Sequence, residues 1–259
     1  MKEARYFYVP NAANETELPA EEAVHAMRVL RLKEGDEMYL MDGEGYFYQA
    51  EVALATPKKC IYTIKQTLKQ KPVWHGRIHL AIAPTKDMGR MEWMAEKATE
   101  VGFDEISFLD CKFSERKTLR IDRIEKIVIS AVKQSRKGWK PAVNPMMPFH
   151  TFIENCSNAG QKFICHCYPE ILREDFFTVI NNVSHAISSP SDSQKSSDNK
   201  PSVGDDITVL VGPEGDFSID EVRFALEHGF ESVTLGNSRL RTETAGLSAV
   251  MMSQLARRV

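Results

Sequence analysis

The chain has 259 residues, 42% of them apolar, and 33 Lys and Arg against 36 Asp and Glu give a formal net charge of −3. That apolar content can build the core of one large domain or two ordinary ones, and the near-neutral charge argues at first against a nucleic-acid partner. No apolar run approaches the roughly 20 residues of a bilayer-spanning helix, and Met1-Lys2-Glu3-Ala4-Arg5 leads into no signal-peptide core. The five cysteines, Cys60, Cys111, Cys156, Cys165 and Cys167, are odd in number and irregularly spaced, the pattern of reduced thiols in a cytosolic protein. Cys165-His166-Cys167 has no second Cys/His pair at a zinc-site spacing, so it reads as buried strand thiols and no metal is expected.

In chain order, residues 1–71 alternate in short strand-like pieces with turn signals at Asp42-Gly43-Glu44-Gly45 and Thr56-Pro57, which predicts a small β-rich module. One short helix interrupts it near Glu21, with Val24, Met27 and Leu30 at helical spacing. Lys71-Pro72 marks a boundary, because proline biases the residue before it toward extended geometry. The second domain, 72–259, opens on the buried strand Ile78-His79-Leu80-Ala81-Ile82-Ala83. A helix then runs from about Asp87 to Val101, with Met88, Met91, Met94, Ala95, Ala98 and Val101 on one face. A strand at 105–109, a helix from about Ile121 to Lys137 and a strand at 162–165 follow. Between Ser184 and Ser202 the chain turns to Ser, Asp, Pro, Asn and Lys with eight serines, which predicts a flexible insert at 188–203. Strands at 207–211 and 232–235 each end in a glycine turn, and a last helix from about Thr244 to Arg257 carries Leu247, Val250, Met251 and Leu255 on one side. Strands alternating with helices predict an α/β domain with a parallel sheet and right-handed crossovers.

Charge is segregated along this chain. From Lys112 to Lys140 there are ten Lys and Arg against three acids, and from Val52 to Pro72 five lysines and no acid. Residues 141–231 reverse the sign, with five basic and fourteen acidic side chains. Two basic clusters on separate elements, set against a near-neutral total, tilt the expectation toward RNA or DNA. The glycine turns, Gly212-Pro213-Glu214-Gly215 and Gly236-Asn237-Ser238-Arg239-Leu240-Arg241, are separated by one helix. They predict a paired-loop site at the carboxyl ends of neighbouring strands, where open α/β sheets bind ligands. Neither turn has the Lys-Ser/Thr pair of a P-loop or the glycines of a dinucleotide fingerprint, so a nucleotide phosphate is not the obvious guest.

Leu210-Val211-Gly212-Pro213-Glu214-Gly215-Asp216-Phe217-Ser218, with Leu235-Gly236 and Leu240-Arg241-Thr242-Glu243-Thr244-Ala245, resembles the signature of the RsmE family. Its members are 16S ribosomal RNA (uracil-N3)-methyltransferases of the knotted SPOUT superfamily. The resemblance spans the chain. His25-Ala26-Met27-Arg28-Val29-Leu30-Arg31-Leu32-Lys33-Glu34-Gly35-Asp36 is similar to the family's amino-terminal PUA-like motif, and Lys86 with Glu96-Lys97-Ala98-Thr99-Glu100-Val101-Gly102 to its first methyltransferase helix. Ser114-Glu115-Arg116, Ala131, Gln134-Ser135 and Pro141 match its middle segment. Three positions depart from it: Asp216 stands where glycine is common, Arg239 one place later than the family arginine, and Lys133 where glutamate is usual.

The resemblance implies a knotted SPOUT α/β methyltransferase domain, threaded as a trefoil, behind a PUA-like β-barrel RNA-binding domain. It implies S-adenosylmethionine held by Leu210, Val211, Gly212, Pro213, Glu214, Gly215, Leu235, Gly236 and Leu240, with the three leucines an apolar bed for adenine. It further implies a homodimer acting on 16S rRNA in the small ribosomal subunit. The reaction then required is displacement at a sulfonium methyl by uridine N3, a poor nucleophile until its proton leaves. No histidine lies in the two glycine loops, and the nearest, His228, is on the intervening helix. The catalytic expectation therefore rests on Arg241, favouring the deprotonated base by charge-assisted hydrogen bonding. Glu243 and Thr244 would orient Arg241 or cap the last helix. Arg5, Arg28, Arg31, Arg116, Lys137 and Lys140 are the expected phosphate contacts. Another SPOUT enzyme acting on ribose or on tRNA would keep the same loops. A non-catalytic RNA-binding protein would keep only the basic patches.

Overall fold

The computed structural model describes residues 4–156, 159–187 and 205–259, and the insert expected at 188–203 lies outside the described residues. Residues up to Lys71 together with Val128–Lys140 form one compact unit, and Pro72–Ile127 together with Pro141–Val259 form the other. Among the described residues no helix is long and apolar enough to cross a membrane.

The first unit is built on a four-stranded sheet in the order β1 (Tyr6–Tyr8), β2 (Glu37–Met41), β3 (Tyr46–Ala55) and β4 (Cys60–Lys69). β1 pairs parallel with β2, and the other two pairings are antiparallel. The turn between β2 and β3 is fixed by Asp42, whose carboxylate accepts the Glu44 and Tyr46 amides at 2.7 and 3.1 Å and the Tyr48 hydroxyl at 3.1 Å. Alternation along these strands sends Met38, Leu40, Tyr48, Ala50 and Val52 into a core shared with Phe7 and Tyr62. The helix α1 (Ala20–Val24) runs on into a wider π-helical turn at His25–Val29, closed by the Leu30 amide donating to the His25 carbonyl at 3.1 Å. Arg28 and Arg31 are exposed there, and Arg31 takes a left-handed φ of 52°.

The second unit is a seven-stranded sheet. In chain order its elements are β5 (Ile78–Ile82), α2 (Met88–Val101), β6 (Glu105–Asp110), the first turns of α3 (Ile121–Ser135, which from Val128 belongs to the first unit), β7 (Ala142–Pro148), α4 (Phe149–Asn155) and β8 (Gln161–Cys165). Then come β9 (Glu174–Asp175), α5 (Phe176–Ile187), β10 (Ile207–Val211), α6 (Ile219–Glu227), β11 (Glu231–Thr234) and α7 (Thr242–Arg257). The order across the sheet is β7-β6-β5-β10-β8-β11-β9, and every pairing is parallel. β10 is paired on both sides, with β5 and β8, which accounts for a sequence that is apolar apart from Thr208. α2 starts where the Asp87 carboxylate accepts the Gly89 amide at 2.8 Å and stops at Gly102, φ 120°. α7 lies against β5 through Gly246, where an added Cβ would stand 2.8 Å from Ile82 Cδ1. A reciprocal capping box opens α6: Ser218 Oγ accepts the Glu221 amide at 3.3 Å, and Glu221 Oε2 accepts the Ser218 amide at 2.7 Å.

Strands β5, β6 and β7 also carry a buried polar network. His79 Nε2 meets Ser107 Oγ at 2.9 Å, His79 Nδ1 lies 3.5 Å from Glu105 Oε2, and Asn144 donates to Ser107 Oγ at 2.9 Å. Burial pushes the His79 imidazole down to about 4, against the opposing pull of Glu105.

Candidate functional site

Sequence alone makes β10 and β11 neighbours. In the structure they are not: β8 stands between them, so three adjacent strands, β10, β8 and β11, end on one side of the sheet. Their following loops surround a cavity of about 950 Å³, within the size range of small-molecule sites. From the first glycine turn Val211, Gly212, Pro213, Glu214 and Asp216 line it, and from the second Leu235, Gly236, Arg239, Leu240 and Arg241. The loop after β8 adds Cys165, His166, Cys167, Ile171 and Arg173, and α2 adds Arg90.

Each wall has a local cause. Gly212 sits so tightly under Phe217 that an added Cβ would come within 2.9 Å of the Phe217 nitrogen, so the turn closes only without a side chain. Gly236 has φ 119° and nothing within 4 Å of its Cβ position, leaving open space in front of its backbone. Glu214 accepts the Lys86 amide at 2.9 Å and fastens the loop after β5 to the first turn. Arg116 reinforces the same loop by donating to the carbonyls of Thr85, at 3.1 Å, and Lys86.

Several expected site residues stand elsewhere. Leu210 is fully buried among Phe152, Phe217 and Val222 and takes no part in the apolar bed; alternate residues of a strand face opposite sides, and Val211 takes the cavity side. Gly215 is turned toward Phe113, with its Cβ position 3.2 Å from Phe113 Cβ. Ile171 and Leu172 join Leu235 and Leu240 to complete the apolar lining. Arg241 is exposed at the rim and is the N-cap residue of α7, with no side-chain cap there, so neither Thr242 nor Thr244 caps the helix. Glu243 is buried with its Oε1 3.9 Å from Arg90 Nε, and its Oε2 has no hydrogen-bond partner. It therefore faces Arg90, which carries no motif to announce it in the sequence.

A histidine does reach the cavity. His166 Nδ1 accepts the Tyr168 amide at 3.2 Å, so Nε2 carries the proton and meets Ser232 Oγ at 2.5 Å. Burial lowers its proton affinity, and both ring nitrogens are engaged, which suits a neutral structural imidazole better than a proton acceptor. Burial pushes the Cys167 thiol up, as does the neighbouring Asp216 carboxylate, while Arg239 acts in the opposite sense. Among the described residues no three His, Cys, Asp or Glu side chains group as a metal site.

The expected phosphate contacts divide. Arg28 and Arg31 are exposed, whereas Arg5 lies 3.8 Å from Asp36 and Arg116 is occupied by two carbonyls. Lys137 is half-buried, which lowers its proton affinity, and Lys140 is partly buried. Lys133, counted in the basic stretch, is paired with buried Glu22 at 2.5 Å.

Comparison with known proteins agrees with this geometry. Residues 72–254 match the family model of the RNA methyltransferase domain, and 18–65 that of the RNA methyltransferase PUA domain. Ribosomal RNA small subunit methyltransferase E of Rickettsia conorii is 27% identical over 241 residues, 92% of this chain and 89% of that protein. The crystal structure of a probable rRNA-methyltransferase from Porphyromonas gingivalis is similar at TM-score 0.82 and 37% identity, over 98% of each chain. That of ribosomal RNA small subunit methyltransferase E from Neisseria gonorrhoeae, bound to S-adenosyl methionine, follows at TM-score 0.75 and 26% identity, also over 98% of each. With a family model covering most of its length and both domains accounted for, the chain belongs to the RsmE family of RNA methyltransferases.

Proposed function

We propose that this protein transfers the methyl group of S-adenosylmethionine to N3 of a uridine in the 16S rRNA of the small ribosomal subunit. The observation that carries the reading is the three-loop cavity at the ends of β10, β8 and β11, in a chain alignable over 98% of its length with a relative bound to S-adenosyl methionine. The residues fit such a cofactor. Gly236 leaves backbone open to the cavity, and Val211, Ile171, Leu235 and Leu240 offer an apolar surface to an adenine ring. Three arginines, Arg90, Arg173 and Arg239, supply cationic groups for the cofactor's carboxylate. When bound, the cofactor supplies a methyl group on a positively charged sulfur.

The chain's own work is to position the base and to favour its anion. Holding the two reactants in line supplies a large part of the barrier reduction. Arg241, exposed at the rim of the cavity, stabilises the uracil oxygens as N3 loses its proton. Arg173 is less free for this, since its Nη1 donates to the His166 carbonyl at 2.8 Å. Arg28 and Arg31 hold phosphates and position the RNA without specifying sequence. The reading includes a trefoil threading of the carboxyl-terminal segment, supported by β10 lying between β5 and β8 rather than beside β9. It also includes a cytoplasmic location and a symmetric dimer, the dimer supported by Met251 and Leu255 standing exposed one turn apart on α7.

The test is methyl transfer to small ribosomal subunits and to naked rRNA, with the methylated atom identified. Arg241→Ala should bind S-adenosylmethionine normally and lose roughly 10²- to 10³-fold in rate, the size of a lost oxyanion donor. Wild-type rates in Arg241→Ala would remove it from catalysis, and a methyl on ribose or on tRNA would replace the uracil-N3 assignment.

A further inference from the structure

Past the carboxyl ends of β10 and β8 no ladder holds their loops together, because the last paired residues are Val211 and Cys165. The amides beyond those positions need other partners. One side chain partners two of them. Asp216 Oδ2 accepts the Cys167 amide at 2.8 Å, and Asp216 Oδ1 accepts the Phe217 amide at 2.8 Å. A second tie runs alongside, where the Tyr168 hydroxyl donates to the Phe217 carbonyl at 2.8 Å. The backbone of Asp216 is held at φ 69°, in the left-handed region, with its amide donating to the Pro213 carbonyl at 2.9 Å. Glycine would adopt that conformation without steric cost. Aspartate there is a strained choice whose compensation is the carboxylate, and strain of this kind gathers at sites that the surroundings over-determine.

We propose that Asp216 is a positioning residue of the cavity, a clasp that fixes the loop after β8 against the first glycine turn and so sets the spacing of the walls on which the cofactor lies. Both ends of the clasp, Asp216 and Cys167, line the cavity. The loop it holds also carries Ile171, Leu172 and Arg173, and its far side is tied to β11 through His166 and Ser232 at 2.5 Å. Without the Asp216 bond that loop keeps its tie to β11 and the Tyr168–Phe217 bond but loses its link at Cys167, and the cavity widens at that point. The proposal rests on the methyltransferase reading for the identity of the ligand, though not for the clasp itself.

The experiment uses the full chain and two variants, Asp216→Gly and Asp216→Asn, with three readouts. These are hydrogen exchange at the Cys167 amide without ligand, S-adenosylmethionine and S-adenosylhomocysteine affinity by titration calorimetry, and thermal midpoint. Asp216→Gly relieves the backbone and removes both bonds. Its Cys167 amide should exchange at least about tenfold faster and its affinity for both ligands should fall about tenfold, the size of one hydrogen bond to a charged group. Asp216→Asn tolerates the same φ and keeps one carbonyl acceptor. It should hold affinity within about threefold of wild type, a loss of well under 1.4 kcal/mol. A merely structural role predicts affinity changes that follow the thermal midpoint across both variants, and that outcome overturns the proposal. So does unchanged Cys167 exchange in Asp216→Gly, or faster exchange with unchanged affinity. Wild-type protein that bound neither ligand would sink the methyltransferase reading, while Cys167 exchange would still decide whether the clasp exists.

Discussion

Gly212→Ala tests the first cavity wall at its tightest point. The new Cβ would lie 2.9 Å from the Phe217 nitrogen, 3.1 Å from Phe217 Cδ2 and 3.2 Å from the Asp216 carbonyl carbon. Ordinary contact begins at 3.4 Å, so the turn must open by about half an ångström, and close-packed interiors resist such insertions. Phe217 cannot yield readily, since its ring is fully buried and packed on Phe149 with centroids 5.3 Å apart. Overpacking at such a site costs about 1–3 kcal/mol. Because the turn is also a cavity wall, the shift should lower S-adenosylmethionine affinity by at least about tenfold, or roughly 1.4 kcal/mol. Urea denaturation with and without cofactor measures both quantities. The ligand-free loss reports overpacking, and the reduced stabilisation by a fixed excess of ligand reports the weakened affinity. Gly236→Ala is the contrasting case: nothing stands within 4 Å of its Cβ, so its penalty is conformational, from φ 119° alone, at about 1–3 kcal/mol. Gly212→Ala protein with wild-type stability and wild-type affinity would refute the packing argument for this wall.

Three further outcomes follow from the structure. The folded His79 sits near 4 while an unfolded histidine titrates near 6.5, so the unfolded chain binds the extra proton and stability falls as pH drops through that window; urea midpoints should show a loss on the order of 3 kcal/mol between pH 6.5 and 4 that is much reduced in His79→Gln. Ser218→Ala removes one half of the α6 capping box and should cost about 1 kcal/mol, whereas Glu221→Ala should cost more in the same denaturation assay, because Glu221 Oε1 also accepts the Lys112 amide at 2.8 Å. Cys167 is the exposed member of the five free thiols and lines the cavity, so iodoacetamide should alkylate it first, and S-adenosylmethionine should protect it in a peptide-mapping experiment. Its thiol is raised above the usual range, so labelling near pH 8 should run slower than for an unstructured cysteine peptide.

What could be read in the sequence was local. Of the α2 stripe expected at a period of 3.6, Met91, Met94, Ala95 and Ala98 are buried while Met88 and Val101 at its ends are only partly so, and Asp87, where the helix was expected to start, is its N-cap. The two glycine turns announce themselves because backbone geometry at Gly212 and Gly236 demands glycine at those very positions. β7 gave no strand signal, since Pro145 and Pro148 interrupt it, and such residues are tolerated because β7 is an edge strand. β9, with two residues, is too short to show a period.

The third cavity wall was hidden for a different reason. The order of strands in a parallel sheet is set by how helices cross over it, and nothing local to β8 states that it lies between β10 and β11. Cys165-His166-Cys167, expected from the sequence to be buried strand thiols, instead leaves the strand at Cys165 and carries an exposed Cys167 into the cavity lining. Charged residues suffer most from this, because a charge is free or engaged according to partners distant in the chain. Lys133 finds Glu22 across 111 positions, and Arg116 finds Thr85 across 31. Of the six residues assigned to RNA from sequence, Arg28 and Arg31 keep exposed guanidinium groups, while Arg5 and Arg116 are drawn into contacts of their own unit. An excess of basic residues in a stretch thus bounds the phosphate contacts it can make from above. The salt dependence of RNA affinity should follow the smaller, structural number: a slope reduced by about one for each of Arg28→Ala and Arg31→Ala, and by clearly less for Arg116→Ala. Equal reductions for all three would mean that Arg116 leaves its carbonyls when RNA binds.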